Sequence, residues 1–528
     1  MTVIKLLNVP FEGNYKDTVY FANKQEQTDY MNSKTVKTIS DVTYQRRDNI
    51  IRVPAHIDSL YNCNYVAYTN EPYTSKTFYA FIDKMEYVND GRTDITIRTD
   101  VLQTWMFDYS VKTSFVEREH VKDDTIGLHT VPEGLETGEF EADFSKEIAG
   151  IGDLCVVWGA TKTQTGANVT GANYAGIYSG VKYYYASLFE PLYISDVLKA
   201  YDEAGHGDAI QCMFIAPLSM ALQGKTIPDN IEDFPYHGDI DNSQAVWERD
   251  ITSSNVGDRS LSFGNGIYTP KNKKLLTFPY KHLTITNNNG GEAVYKYERF
   301  RNNSPAFKME GVVTPGCSIR LIPKMYNGVE ENDLEGLNLG KFPICNWSSD
   351  AYTNWLTQNS VNIGLSVASG VGQVIAGTAM AVGTGGLGMA VGGGSIVGGV
   401  STIANTLAQV HQQSFTPPQS KGNINCGDVI TSAKKNNFVA YHMSIKVEYA
   451  RIIDEYFSMF GYKVSRVKVP NKNHRSHYWY TKTVDVNIDG AIPNTDLQII
   501  KDCYNRGITF WRASSVMGNY DVANSITE

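Results

Sequence analysis

The sequence predicts a mainly β, multi-domain fold with a smaller α+β part and one long hydrophobic, Gly/Ala-rich helical hairpin loop. Three observations carry this. Of 528 residues, 33 are tyrosine and 12% are aromatic, and many lie in short Val/Ile/Thr/Tyr runs that suit a pleated surface. Asn/Asp-Gly pairs sit between such runs, where a tight hairpin needs them. Residues 351–420 contain no Asp, Glu, Lys or Arg in a chain that is 20% charged.

Taken in order, residues 1–147 read as an N-terminal β domain. "MTVIKLLNVPFEGNYKD" is a first strand, since it lacks the apolar core of an export signal. "NIIRVPAHI" and "DITIRTDVLQTW" alternate or run apolar at strand length. "KTFYAFIDKMEYVNDGRTDITIRTD" reads as two strands around Asn89-Asp90-Gly91. Residues 148–270 form a second, inserted or distal domain. It opens with the strand "DLCVVWGA", runs through a polar Gly/Asn-rich surface loop, and includes a short helix in "PLYISDVLKAYDEAG". Residues 271–350 return to β structure, with a hairpin tip at Asn289-Gly290-Gly291. Residues 421–528 are α+β: "VAYHMSIKVEYARIIDEYFSMFGYKVSRVKVP" reads as strand, helix, strand. Ile452, Ile453, Tyr456, Phe457 and Phe460 share one helical face and Gly461 is placed to stop the helix. "RGITFW" is a final strand.

The uncharged residues 351–420 form the remaining segment. Ile363, Val367, Val371 and Ile375 recur every four residues beside Gly364, Ala368, Gly372 and Ala376. An aliphatic ridge thus runs next to a small-residue groove, the pattern that lets helices pack closely in lipid. After a glycine-rich bend containing Leu387, the positions Ile396, Val400, Ile403 and Leu407 form a second stripe, and Gly394 and Gly398 supply a GxxxG. Each arm approaches the ~20 residues that cross a ~30 Å hydrocarbon core. The insertion energy of the first arm is only roughly 2–4 kcal/mol. Such a hairpin suits shelter inside a soluble assembly followed by entry into a bilayer, and a hole requires several copies. A buried hairpin that never meets lipid is the competing reading.

The seven cysteines are scattered with no CxxC pair, which argues against a disulfide scaffold. A net charge of -9 argues against tight nucleic-acid binding. No nucleophile elbow, HExxH, phosphate loop or zinc-finger spacing occurs. His474 and His477 lack a nearby Cys or carboxylate as companion ligands. Glu117, Glu119, His120, Asp123 and Asp124 cluster in "FVEREHVKDD". An acid/base pair is conceivable there, and salt bridges between strands or subunits are the structural reading. No catalytic, cofactor or metal residue is assigned.

The ordered set "FEGNYKDTVYF", "SLYNCNYV", "FYAFIDKMEY", "DVLQTWMFD", "FVEREHVKDD" and "EGL", then "FPYKHLTITNNNG", "FGYKVSRVKVPN", "TDLQII", "GITFW" and "GNY", resembles the tail knob proteins of Picovirinae-type short-tailed phages of Gram-positive bacteria. The resemblance spans most of the chain, except for residues 150–270. It implies a multi-domain β-rich subunit of a hollow ring or tube, a homohexamer at the distal end of the tail that joins proximal tail or connector proteins. Viral DNA would pass through the lumen without tight binding. The hydrophobic loops would plug the mouth and later enter the host cytoplasmic membrane. A receptor-binding or wall-degrading tail protein without membrane penetration is the alternative.

Overall fold

The computed structural model describes residues 3–40, 42–45, 48–70, 74–148, 151, 153–169, 173–174, 177–178, 180–187, 191–222, 237–240, 246–257, 261–313, 317–340, 342, 344–346 and 437–527. The chain divides into two compact units. Unit 1 comprises Met1–Glu139, Thr269–Thr277 and Lys446–Glu528, and unit 2 comprises Phe140–Tyr268 and Phe278–Ile445.

Unit 1 is built on a seven-stranded antiparallel sheet in the order Thr35–Ile39, Val3–Leu7, Tyr65–Asn70, Thr74–Asn89, Arg92–Thr99, Ile50–Val53, Thr43–Gln45. Both faces are buried because successive side chains alternate between two cores. Tyr65, Ala67, Tyr79 and Phe81 enter one apolar cluster, while Val66, Tyr68 and Ala80 enter the other. The register Asn89↔Arg92 leaves Asp90-Gly91 as a two-residue hairpin loop, as the sequence predicts. "DITIRTDVLQTW" is not one strand, however. Pairing ends at Thr99, and the Asp100 carboxylate accepts from Gln103 N at 3.1 Å to cap the helix Val101–Trp105.

A second sheet in unit 1 runs Asp17–Val19, Ile508–Trp511, Tyr478–Val484, Ser114–Glu119, Tyr462–Lys468, with its first pair parallel. It joins the front of the chain to its end. The helix Val447–Phe460 stops at Gly461, whose φ of 63° favours glycine. Its buried side is narrower than the apolar pattern suggests: Ile453 and Phe457 are buried, but Ile452 is 64% exposed. The inward position belongs instead to Asp454, which accepts from Lys271 N at 2.7 Å and Asn272 N at 3.0 Å. This ties down the short segment Thr269–Thr277.

Unit 2 holds three larger sheets around one core. Leu154–Ala160 is buried along its whole length and Ile210–Pro217 at all but one position; they pair antiparallel at the centre of a five-stranded sheet. The helix Pro191–Glu203 is the one the sequence predicts. A four-stranded sheet runs Phe140–Ile148, Phe438–Ile445, Lys281–Thr286, Glu292–Tyr295. The register Thr286↔Glu292 leaves Asn287–Gly291 as the hairpin tip.

Candidate functional site

The uncharged segment lies in residues 347–436, outside the described residues. So do all its singled-out positions: Ile363, Gly364, Val367, Ala368, Val371, Gly372, Ile375, Ala376, Leu387, Gly394, Ile396, Gly398, Val400, Ile403 and Leu407. The structure describes the two stems from which the segment departs. Before it, Ile344–Asn346 forms the edge of the five-stranded sheet of unit 2, paired with Ile210–Pro217. After it, Asn437 leads into Phe438–Ile445, an inner strand flanked by Phe140–Ile148 and Lys281–Thr286.

The hairpin tip "NNNGG" reaches the outgoing stem and the strand Leu337–Leu339, which precedes the incoming one. Asn287 Nδ2 donates to Asn338 O at 2.6 Å on the incoming side. Asn288 Nδ2 donates to Asn437 Oδ1 at 2.6 Å on the outgoing side. Asn287 Oδ1 accepts from Asn289 N and Gly291 N, each at 2.8 Å, which fixes the tip itself. Asn288 adopts φ 54°, a left-handed conformation that asparagine tolerates better than most residues. Reading this run only as a turn misses its second task. The signal was present, because a hairpin needs one Asn-Gly and this one has three asparagines.

The outgoing strand is anchored by buried polar groups. Lys281, 0% exposed, donates to Asp143 Oδ2 and Ser262 O, both at 2.7 Å. Ser444 Oγ and Gly264 N each donate to Asp143 Oδ1 at 2.8 Å. Each member of the ion pair thus has hydrogen-bond partners besides the other, which a buried pair requires. His442 accepts from the Tyr297 hydroxyl at Nδ1 (2.5 Å) and its Nε2 contacts Val256 O at 3.2 Å. Burial lowers the pKa of His442, so the imidazole is kept neutral.

The charged cluster of "FVEREHVKDD" is spent on structure. Glu119 pairs with Lys468 at 2.6 Å and Glu117 with Lys482 at 2.9 Å, both between strands, which is the structural reading of the sequence. The buried Glu133 of "EGL" takes both Arg118 and Lys274. Asp124 accepts from Tyr462 Oη at 2.7 Å and Lys273 N at 3.0 Å. His120 Nδ1 accepts from Tyr480 N at 2.7 Å, and its Nε2 lies 3.0 Å from Ser458 O. Burial, reinforced by the charge of Arg475, lowers its pKa to about 3. His477 Nδ1 lies 3.1 Å from Ala523 O. Among the described residues no group of three His, Cys, Asp or Glu is arranged to hold a metal ion, and no helix is long and apolar enough to cross a membrane.

"DVLQTWMFD" is also a staple. Asp100 Oδ2 accepts from Tyr65 Oη at 2.8 Å. Gln103 Nε2 donates to Val19 O at 2.7 Å, Gln27 donates to Gln103 Oε1 at 2.9 Å, and Trp105 Nε1 donates to Asp496 at 2.8 Å. One short helix thereby binds the front of the chain to its end.

Largely antiparallel sheets, acid and base groups committed to internal pairs, and a long uncharged stretch of sequence between two paired strands fit a structural protein. Comparison with known proteins gives the same class and narrows it to phage tails. Residues 244–525 match the family described as Bacillus phage phi29, tail knob protein gp9, C-terminal domain. Residues 1–110 match the caudoviral major tail protein N-terminus. Tail knob protein gp9 of Bacillus phage PZA is 27% identical, with 99% of this chain and 98% of that one aligned. The tail knob protein of Bacillus phage B103 is also 27% identical, over 98% and 97%. That of phi29 is 26% identical, over 99% and 98%. The fold superposes on the tail knob protein gp12 of bacteriophage C1 with a TM-score of 0.64 at 16% identity, covering 100% of both chains. The chain belongs to the phi29 gp9 tail knob family. It is a structural component of a podovirus tail and not an enzyme.

Proposed function

We propose that copies of this chain assemble, as a homohexamer joined to proximal tail proteins, into a hollow conduit at the distal end of the tail. Residues 351–420 first obstruct its mouth and then enter the host cytoplasmic membrane, so that the genome can pass. The observation that carries this is seventy consecutive residues without a formal charge, between two strands of a chain that is otherwise 20% charged. Ile363, Val367, Val371, Ile375, Leu387, Ile396, Val400, Ile403 and Leu407 are the lipid-facing positions. Gly364, Ala368, Gly372, Ala376, Gly394 and Gly398 supply close helix contact and bending. In lipid every backbone polar group must be satisfied, so the arms insert as helices packed on one another or on other copies. The paired strands on either side support such a role, because the segment can change its surroundings while they stay in the sheets of unit 2. The net charge of -9 suits DNA sliding past without adhering.

Deletion of residues 362–410 tests the proposal. The shortened protein is expected to fold and assemble into the same particle by negative-stain microscopy while losing dye release from liposomes. Undiminished leakage would sink it. Binding to intact cells, measured in parallel, is expected to survive the deletion and separates surface recognition from penetration.

A further inference from the structure

Two surfaces of this chain match each other in charge and in apolar content. The first lies on the five-stranded sheet of unit 1. Phe115 stands directly across from Val467 on one neighbouring strand and from Val484 on the other. The three are solvent-facing, at 40%, 71% and 50% exposure, so an apolar row crosses three strands. It ends at Tyr462–Lys468, the edge strand, where the sheet is open to a neighbour. The row is set among cations. Residues 456–484 contain six Lys or Arg and no Asp or Glu. Arg466, next to Val467, is exposed and makes no ion pair among the described residues.

The second surface lies on unit 2. Leu334 is 97% exposed, the most open of the large apolar side chains among the described residues. It sits in the short turn Asp333–Glu335. Residues 325–340 contain four acids and no Lys or Arg. Arg320 fixes the turn: its Nη2 donates to Asp333 O, and its Nη1 lies 3.3 Å from the Asp333 carboxylate. Glu331 pairs with Lys308 at 2.6 Å. Glu330 and Glu335 make no ion pair among the described residues. A scattered exposed leucine is ordinary on a protein surface. One held out on a fixed turn between uncommitted carboxylates is preorganised for a partner that is both apolar and cationic.

We propose that Leu334 of one copy of this chain seats on the row Val484–Phe115–Val467 of the next copy, with Glu330 and Glu335 facing Arg466 and the cations around it. This docking rests on the reading that copies of the chain assemble with one another, and it adds where they meet. Both surfaces are open to solvent on the single chain and carry opposite charge, so a second copy is the complementary occupant that the chain itself supplies. The contact is head-to-tail. Each copy offers a different surface to each of its two neighbours, the arrangement that closes into a ring.

Sedimentation of the full-length protein, with negative-stain imaging, tests the inference. Leu334→Asp and Val467→Asp should each weaken assembly at least about tenfold, while Tm stays near that of the parent because both positions are exposed. Arg466→Glu should also weaken assembly, and adding Glu330→Lys to the same chain should restore it toward the parent, since every contact then carries the reversed charges. Mixing Leu334→Cys protein with Val467→Cys protein under mild oxidation is expected to give a disulfide-linked dimer that neither protein gives alone. The inference is overturned if Leu334→Asp or Val467→Asp assembles like the parent, if the paired reversal does no better than Arg466→Glu alone, or if assembled particles yield no mixed dimer. Each of those results leaves assembly itself standing. If the parent stays monomeric at every concentration, the assembly reading falls and this docking falls with it.

Discussion

His120 shows how one side chain can report the integrity of unit 1. Its ring accepts from Tyr480 N and contacts Ser458 O, and the fold keeps it neutral by lowering its pKa from 6.5 to about 3. Above pH 6.5 the folded and unfolded chains carry the same protonation at this site, and its contribution to stability is complete. As pH falls from 6.5 toward 3, the unfolded chain takes up a proton that the folded chain refuses, and up to roughly 5 kcal/mol is lost. Asp100 works in the opposite sense. Burial raises its carboxyl from 3.8 to about 6, so its contribution is complete below 3.8 and disappears as pH rises through 6. Urea unfolding of the parent and His120→Gln across pH 3–7 separates the two effects. The parent should gain stability relative to the variant by nearly one proton's slope between pH 4 and 6, and equal slopes would refute the assignment. The sequence displayed His120 among carboxylates, the usual company of an acid/base pair. It could not display burial, because the atoms that bury and orient the ring come from Ser458 and Tyr480, more than three hundred positions away.

At the level of elements, local chemistry was readable wherever it was sufficient. Asp90-Gly91 closes its hairpin, Pro191–Glu203 is helical, and Gly461 ends its helix in a left-handed conformation. A Cβ added to Gly461 would lie 2.2 Å from Glu119 O. Gly461→Ala is therefore expected to cost more than about 2 kcal/mol by thermal or urea unfolding, and a loss near the ~1 kcal/mol of an ordinary left-handed glycine would contradict the close approach. Among the described residues five helices escaped the sequence reading, two of them, Leu218–Ala221 and Ser253–Val256, only four residues long. Lys24–Ser33 begins at Asn23, whose side chain accepts from Glu26 N at 2.9 Å, yet its surface is so polar that apolar periodicity is faint. Val101–Trp105 is shorter than two turns and continues a strand-like apolar run. Asn494–Arg506 buries Ile500, Cys503 and Tyr504, a stripe that its many polar neighbours dilute. On the helix Val447–Phe460, apolar spacing favoured Ile452, but Asp454 was drawn inward by the backbone N–H groups of Lys271 and Asn272. A tertiary hydrogen-bonding demand overrode the pattern there.

Across the whole molecule, unit 1 is discontinuous in sequence. Its smaller main sheet pairs Asp17–Val19 in parallel with Ile508–Trp511, and its core mixes Leu7, Val9 and Phe11 with Ile500, Tyr504 and Phe510. Removing residues 446–528 takes three of the five strands from that sheet. The truncated chain is expected to expose the remaining core and to become sensitive to trypsin within residues 1–139, whereas a protected N-terminal fragment would show that this part folds alone. Such pairings leave no local trace, because each partner strand is an ordinary short apolar run and its mate is hundreds of residues distant. The family likeness carried by eleven ordered motifs made the class legible where periodicity alone could not.

The asparagine hairpin links Asn437, the first described residue after 347–436, to the strand Leu337–Leu339 that lies ahead of them. Lengthening or shortening a connection between two held ends changes loop-closure entropy only logarithmically, by about 0.6 kcal/mol per doubling. Insertions or deletions within residues 347–436 are therefore expected to disturb the folding of unit 2 little, so that this interval can vary in length while the strands on either side are kept.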